Sequence, residues 1–142
     1  MYRTIAQLGL AVGLAMMTIS PLRAADTQTA LFAGGCFWCV ESDMDAVDGV
    51  TATVSGYAGG TTTNPTYRNY HAGGHREVVE VKFDAARISY KELVAIFLRT
   101  IDVTDAGGQF CDRGHGYTTA IHALDDDQAR QAPEGVAEAA KA

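Results

Sequence analysis

The chain has 142 residues, 47% of them hydrophobic, and 11 Lys and Arg stand against 17 Asp and Glu for a formal net charge of -6. That length and composition fit one globular domain and exclude collagen-like, low-complexity and coiled-coil architectures. The acidic balance argues against a nucleic-acid partner, since phosphate binding needs clustered Lys and Arg that release counterions.

Residues 1–24 read as a secretory signal peptide. Arg3 supplies a short positive start, Ile5 to Ile19 is nearly all apolar, Pro21 breaks the run, and Leu22-Arg23-Ala24 offers a cleavage site. The apolar run is shorter than the roughly 20 residues that a spanning helix needs. A domain over residues 25–142, in a periplasmic or secreted location, is the expectation. Export also places Cys36, Cys39 and Cys111 where disulfides persist. An odd count of three points to one pair and a further thiol rather than a disulfide framework.

In the domain, Ala30 to Ala33 is an apolar run ending at Gly34-Gly35, which predicts a buried strand and a tight turn. From Cys36, the apolar residues Val40, Met44 and Val47 recur at i, i+4 and i+7, the spacing of an amphipathic helix. Gly49 ends it. Val50 to Tyr57 then alternates as a half-buried strand, with Val50, Ala52 and Val54 on one face and Thr51, Thr53, Ser55 and Tyr57 on the other.

Ala58 to Gly74 is dense in Gly, Thr, Asn and Pro and reads as one long loop, a kind that tends to be functional when ordered. Arg76 to Phe83 predicts another strand, with Glu77 on the side of Val79, Val81 and Phe83. Ser89-x-x-Glu92 is a capping box, and Tyr90, Leu93, Val94, Phe97 and Ile101 continue at helical spacing. A second loop runs from Asp102 to Gly116, and Tyr117 to Leu124 is rich enough in strand formers for a last strand. Asp125 to Ala142 is Ala- and Glu-rich, with a helical pattern that Pro133 and Gly135 interrupt. The order β-α-β-β-α-β plus a tail predicts an α+β, ferredoxin-like two-layer sandwich.

Cys36 starts a helix directly after two glycines, so unpaired backbone N–H groups and the positive end of the helix dipole favour its thiolate. Such a sulfur is nucleophilic and readily oxidised to sulfenic acid. Phe37 and Trp38 point about 100° apart on a helix, so they cannot share one core stripe. An aromatic wall beside a nucleophile suits an apolar, polarisable group such as a thioether methyl. Glu77, on an otherwise apolar strand face, is placed to give up a proton near neutral pH. Tyr57 and Tyr117 offer hydroxyl donors at strand ends, with Asp112 near Tyr117 in sequence.

Cys36, Cys39, Cys111 and His115 also have plausible zinc-ligand spacing, the basis of an alternative reading as a metal-stabilised secreted binding domain. The aromatic pair inside Cys36-x-x-Cys39 fits redox chemistry better. His71 and His75 lie in a glycine-rich loop, where surface or loop-bracing roles are the plainer reading.

The segment Gly34-Gly35-Cys36-Phe37-Trp38-Cys39-Val40-Glu41 closely resembles the signature of the A-type peptide methionine sulfoxide reductases. The resemblance continues through Gly56-Tyr57-Ala58-Gly59-Gly60, Asn64-Pro65-Thr66-Tyr67, Gly74-His75-Arg76-Glu77-Val78-Val79, Ile88-Ser89-Tyr90 and Asp105 to Gly114, covering about Ala30 to Leu124. It implies reduction of methionine S-sulfoxide, free or in proteins, by a monomer with no cofactor or metal, recycled by a thioredoxin-like reductant.

In that likeness Cys36 is the nucleophile, Phe37 and Trp38 form the methyl pocket, and Glu77 protonates the sulfoxide oxygen. Tyr57 and Tyr117 are donors to that oxygen, and Asp112 is an acid of the pocket. Either Cys39, one helical turn away, or Cys111 then resolves the sulfenic acid, with Cys39 narrowly favoured. The rival enzyme reading is a thiol–disulfide oxidoreductase using Cys36 and Cys39. The loop from Asn64 to His75 is shorter than the common family pattern, Gly116-Tyr117-Thr118-Thr119 departs from it, and the C-terminus reads as shortened.

Overall fold

The computed structural model describes residues 26–141, so the expected signal segment lies outside the described residues. Strand β1 (Thr27–Ala33) leads through the Gly34-Gly35 turn into helix α1 (Phe37–Asp45). Strands β2 (Val50–Ala58) and β3 (Arg76–Asp84) follow, then helix α2 (Tyr90–Arg99). Two short strands, β4 (Gly108–Gln109) and β5 (Asp112–Arg113), make a small hairpin. A 3₁₀ turn at His115–Tyr117, strand β6 (Ala120–His122) and helix α3 (Asp126–Ala139) complete the order.

The main sheet has the order β2-β3-β1-β6, with every neighbouring pair antiparallel. Its core face carries Ala30 and Phe32 from β1 and Val79, Val81 and Phe83 from β3, packed against Val40 and Met44 of α1 and Leu93, Val94 and Phe97 of α2. Phe32 and Phe97 stack with centroids 4.5 Å apart and planes 7° from parallel. Area removed from water is the main gain here, roughly 1.5–3 kcal/mol for each fully buried large side chain.

The capping box at α2 forms as the sequence predicts. The Ser89 hydroxyl accepts from the Glu92 backbone N–H, and the Glu92 carboxylate accepts from the Ser89 backbone N–H at 2.9 Å. Hydrogen bonds from Ser89 hold the Glu92 carboxyl below the usual carboxylate range, the side-chain contact contributing most and the backbone N–H next.

Four expectations change on folding. β1 begins at Thr27 rather than Ala30, because its polar residues Thr27, Gln28 and Thr29 pair through their backbones with Asp84, Phe83 and Lys82. In β2, an irregularity between Val50 and Ala52 shifts the register against β3 and exchanges the faces. Val54 therefore points outward at 56% exposure, while Thr53, Ser55 and Tyr57 turn toward α1. There Thr53 donates to Asp45 at 2.6 Å and Ser55 to Glu41 at 2.6 Å.

The last strand spans only Ala120–His122, since Tyr117 belongs to the preceding 3₁₀ turn. Its missing length along β1 is replaced by a side chain. Gln128 donates to the Thr29 carbonyl at 2.6 Å and accepts from the Leu124 backbone N–H at 3.0 Å, satisfying an edge that β6 does not reach.

Helix α3 runs through both Pro133 and Gly135. It is held on either side of the proline: Asp125 caps its start by accepting from the Gln128 N–H at 2.8 Å, and Gly135 brings it against α2. A Cβ at Gly135 would lie 2.7 Å from the Lys91 carbonyl oxygen and from Val94 Cβ, so the glycine permits the close approach of the two helices. Tertiary packing outweighs the local cost of the proline.

Candidate active site

Gly35 has φ +92°, a conformation that L side chains rarely adopt, and a Cβ there would meet Gln109 at 2.6 Å. This turn delivers Cys36 to the N-cap of α1, where its carbonyl accepts from Cys39 N–H at 3.0 Å and Val40 N–H at 3.2 Å. Gln109 is itself locked: its side chain accepts from Asp102 N–H and donates to the Asp102 and Gly108 carbonyls. The turn preceding the cysteine is thus fixed from the β4–β5 side.

Cys36 is half-buried and Cys39 exposed. A cleft of about 110 Å³ is lined by both, with Asp43, Phe110 and Asp112 on its walls. The Cys39 thiol is pushed above its ordinary value, first by its hydrogen bond with Cys36, then by burial and by the nearby charges of Cys36, Asp112 and Asp43. Cys39 therefore stays protonated beside Cys36 at neutral pH. Cys111, also exposed, sits in the turn between β4 and β5. Phe110 and Asp112 on either side of it line the cleft, whereas Cys111 does not.

Glu77 on β3 is 2% exposed, as the strand alternation predicts. Its two carboxyl oxygens have separate partners. Oε2 accepts from the Phe37 backbone N–H at 2.9 Å, and Oε1 from the Tyr70 hydroxyl at 2.8 Å. A residue 40 positions along the chain thereby satisfies one of the orphan N–H groups at the start of α1, next to the candidate nucleophile.

An aromatic basin surrounds this carboxyl. Phe37 is buried and Trp38 is 65% exposed, so the adjacent pair divides between core and surface as helical geometry requires. Trp38 stacks on Tyr67, 6.3 Å apart with planes 9° from parallel, and Phe37 lies 5.7 Å from Tyr57. Tyr57 stacks on Tyr70 at 4.7 Å, and Tyr117 meets His71 edge-on at 5.6 Å. Tyr57 is held above its ordinary ionisation range by burial and then by the charge of Glu77. Tyr67 is raised mainly by Tyr117. The phenols of Tyr57 and Tyr67 keep their protons and can donate.

The fold thus brings Cys36, Phe37, Trp38, Tyr57, Glu77, Cys39 and Asp112 around the start of α1, with Tyr117 at the border of the aromatic cluster. The four residues Cys36, Cys39, Cys111 and His115 do not converge: among the described residues no group of three His, Cys, Asp or Glu side chains could hold a metal ion. His75 braces the loop, accepting from Gly60 N–H at 3.2 Å and bonding to Thr62. His71 stacks on Tyr70.

A model of the family "Peptide methionine sulfoxide reductase" matches residues 28–142. The chain belongs to that family. It is 67% identical over 112 residues to peptide methionine sulfoxide reductase MsrA 2 of Rhizobium meliloti (strain 1021), a match covering 79% of this chain and 57% of the relative. To MsrA 2 of Caulobacter vibrioides it is 46% identical over 123 residues, covering 85% of this chain and 63% of the relative. The solved structure of methionine sulfoxide reductase A of Corynebacterium diphtheriae superposes with a TM-score of 0.74 at 35% identity, covering 81% of this chain and 57% of that one. The chain therefore spans about three-fifths of the length of these relatives.

Within this reductase family chain, two contacts escape sequence reasoning. Tyr70 has no periodic signal, because it lies in the long loop, and its approach to Glu77 depends on how that loop folds. Tyr67 belongs to a recognisable motif, yet nothing in the motif announces that it will lie flat against Trp38.

Proposed function

We propose that this domain reduces methionine S-sulfoxide, free or within polypeptides, to methionine. The observation that carries the reading is the bond from the Phe37 backbone N–H to Glu77, which holds a carboxyl against the turn bearing Cys36, under an aromatic basin. The Cys36 thiolate attacks the sulfoxide sulfur while Glu77 gives its proton to the departing oxygen, with the hydroxyls of Tyr57 and Tyr117 as donors to that oxygen. Phe37 and Trp38 receive the methyl group. Methionine leaves with two more electrons than the sulfoxide had, and the oxygen passes to Cys36 as a sulfenic acid.

Cys39 then attacks that sulfur, a disulfide forms, and the oxygen leaves as water. That Cys36 and Cys39 line one cleft, which Cys111 does not, supports Cys39 as the resolving thiol. Asp112, facing the cleft, is in place to take up the Cys39 proton. An external dithiol of the thioredoxin type returns both cysteines to the reduced state. The strand order β2-β3-β1-β6 with two helices over one face supports a ferredoxin-like plan. The sequence of residues 1–24 supports an exported protein, periplasmic or secreted.

The test is turnover of the two methionine sulfoxide epimers by purified protein with dithiothreitol. Reduction of the S epimer alone is expected, and replacing Glu77 by Gln should slow it roughly 10²–10⁴-fold. A folded protein that exchanges disulfides but reduces neither epimer would establish the oxidoreductase alternative instead.

A further inference from the structure

We propose that Tyr70 is a positioning residue for this reaction: its hydroxyl fixes the Glu77 carboxyl toward the sulfoxide oxygen. The inference rests on the reading of Cys36 and Glu77 given above. Tyr70 is 1% exposed and its hydroxyl donates to Glu77 Oε1 at 2.8 Å. Since Phe37 N–H occupies Oε2, the two bonds together fix the orientation of the carboxyl. Without Tyr70, only one of the two bonds would define that direction.

The surroundings of Tyr70 are built to hold it. Its ring lies between Tyr57, 4.7 Å away, and His71, 3.9 Å away. A Cβ on Gly116 would meet the ring at 2.8 Å, so the 3₁₀ turn carrying Tyr117 closes directly over it. Its backbone is bound at both ends: Tyr70 N–H donates to the Thr66 carbonyl, and its own carbonyl accepts from Gly73 and His75. The long loop from residue 59 to 75 therefore has a definite product, a phenol locked beneath the acid. Burial, the Tyr117 hydroxyl and the Glu77 carboxylate together hold this phenol far above its ordinary ionisation range, in that order. It remains a donor throughout turnover. The charge of Glu77 also reaches the phenols of Tyr57 and Tyr67.

A four-protein cycle tests this: wild type, Tyr70→Phe, Glu77→Gln and the double variant, assayed by single turnover on methionine S-sulfoxide across pH 5–9. Circular dichroism and iodoacetamide labelling of Cys36 monitor the fold and the nucleophile. Tyr70→Phe is expected to lower the turnover rate about ten- to a hundredfold with little change in KM, to alter the pH profile, and to have no further effect in the Glu77→Gln background.

Equal, additive losses in both backgrounds with an unchanged pH profile would overturn the role through Glu77. An inactive but folded wild type would instead overturn the function reading. If Tyr70→Phe does not fold, 3,5-difluorotyrosine at position 70 keeps the ring and hydroxyl while making a stronger donor. A pH profile that changes when Glu77 is present but not in the Glu77→Gln background supports the proposal, and identical profiles overturn it.

Discussion

Two sulfurs one helical turn apart share a single proton arrangement at the start of α1. Cys39 is held above its ordinary ionisation value chiefly by its hydrogen bond with Cys36. A raised value means that the protonated form persists to higher pH, so Cys39 should resist alkylation at neutral pH and react only in alkaline solution. Replacing Cys36 by Ala removes the largest cause, and the alkylation midpoint of Cys39 should move down. Iodoacetamide labelling against pH, read by peptide mass, measures both midpoints, and coincident curves would show that the sulfurs do not interact.

At the same scale, Cys36, Phe37, Trp38 and Glu77 were legible because each follows from a local period or turn. Glycines set the helix start, a 100° step splits the aromatic pair, and strand alternation turns Glu77 inward. Tyr70 was not legible, because a loop has no period from which a side-chain direction can be read.

Among the elements, α3 shows local propensity and packing in opposition. Pro133 removes one backbone N–H from the helix interior and faces solvent. Pro133→Ala should therefore stabilise the protein by about 1–3 kcal/mol, seen as a higher urea midpoint. Gly135→Ala would gain up to about 1 kcal/mol in an exposed helix. Here the added Cβ meets a backbone oxygen of α2 at 2.7 Å, which cannot rotate away. Overpacking of this kind costs about 1–3 kcal/mol, so the net change should be destabilising. A more stable Gly135→Ala variant would mean that α2 and α3 part easily. β2 teaches the same lesson in another form. Its alternation is real, but one extra residue near Thr51 reverses which half of it faces α1.

Across the whole molecule, the outer face of the sheet carries a titratable group. His122 on β6 has a buried Nε2 without a partner among the described residues, and burial followed by the charge of Arg76 lowers its value below the ordinary 6.5. Its contribution to stability is complete above about pH 6.5 and is lost as pH falls through the lowered folded value, because the unfolded chain takes up the proton first. Wild type should therefore lose stability relative to His122→Gln between pH 7 and pH 5, measured by urea unfolding at each pH. Parallel stability curves would remove His122 from the acid response.

Period, punctuation and motif in the sequence were enough to determine the order of the four main-sheet strands and of the helices between them, the cap of α2, the inward face of β3 and the family, but not the β4–β5 hairpin, which lies in a segment that reads as loop. These depend on interactions within a few residues, or on which side chains must leave water. The face of β2, the continuity of α3, the Gln128 closure of the β1 edge and the contact of Tyr70 with Glu77 were decided only by tertiary structure. Each depends on contacts between separate segments of the chain, and its energy exists only once folding has brought both partners to one place.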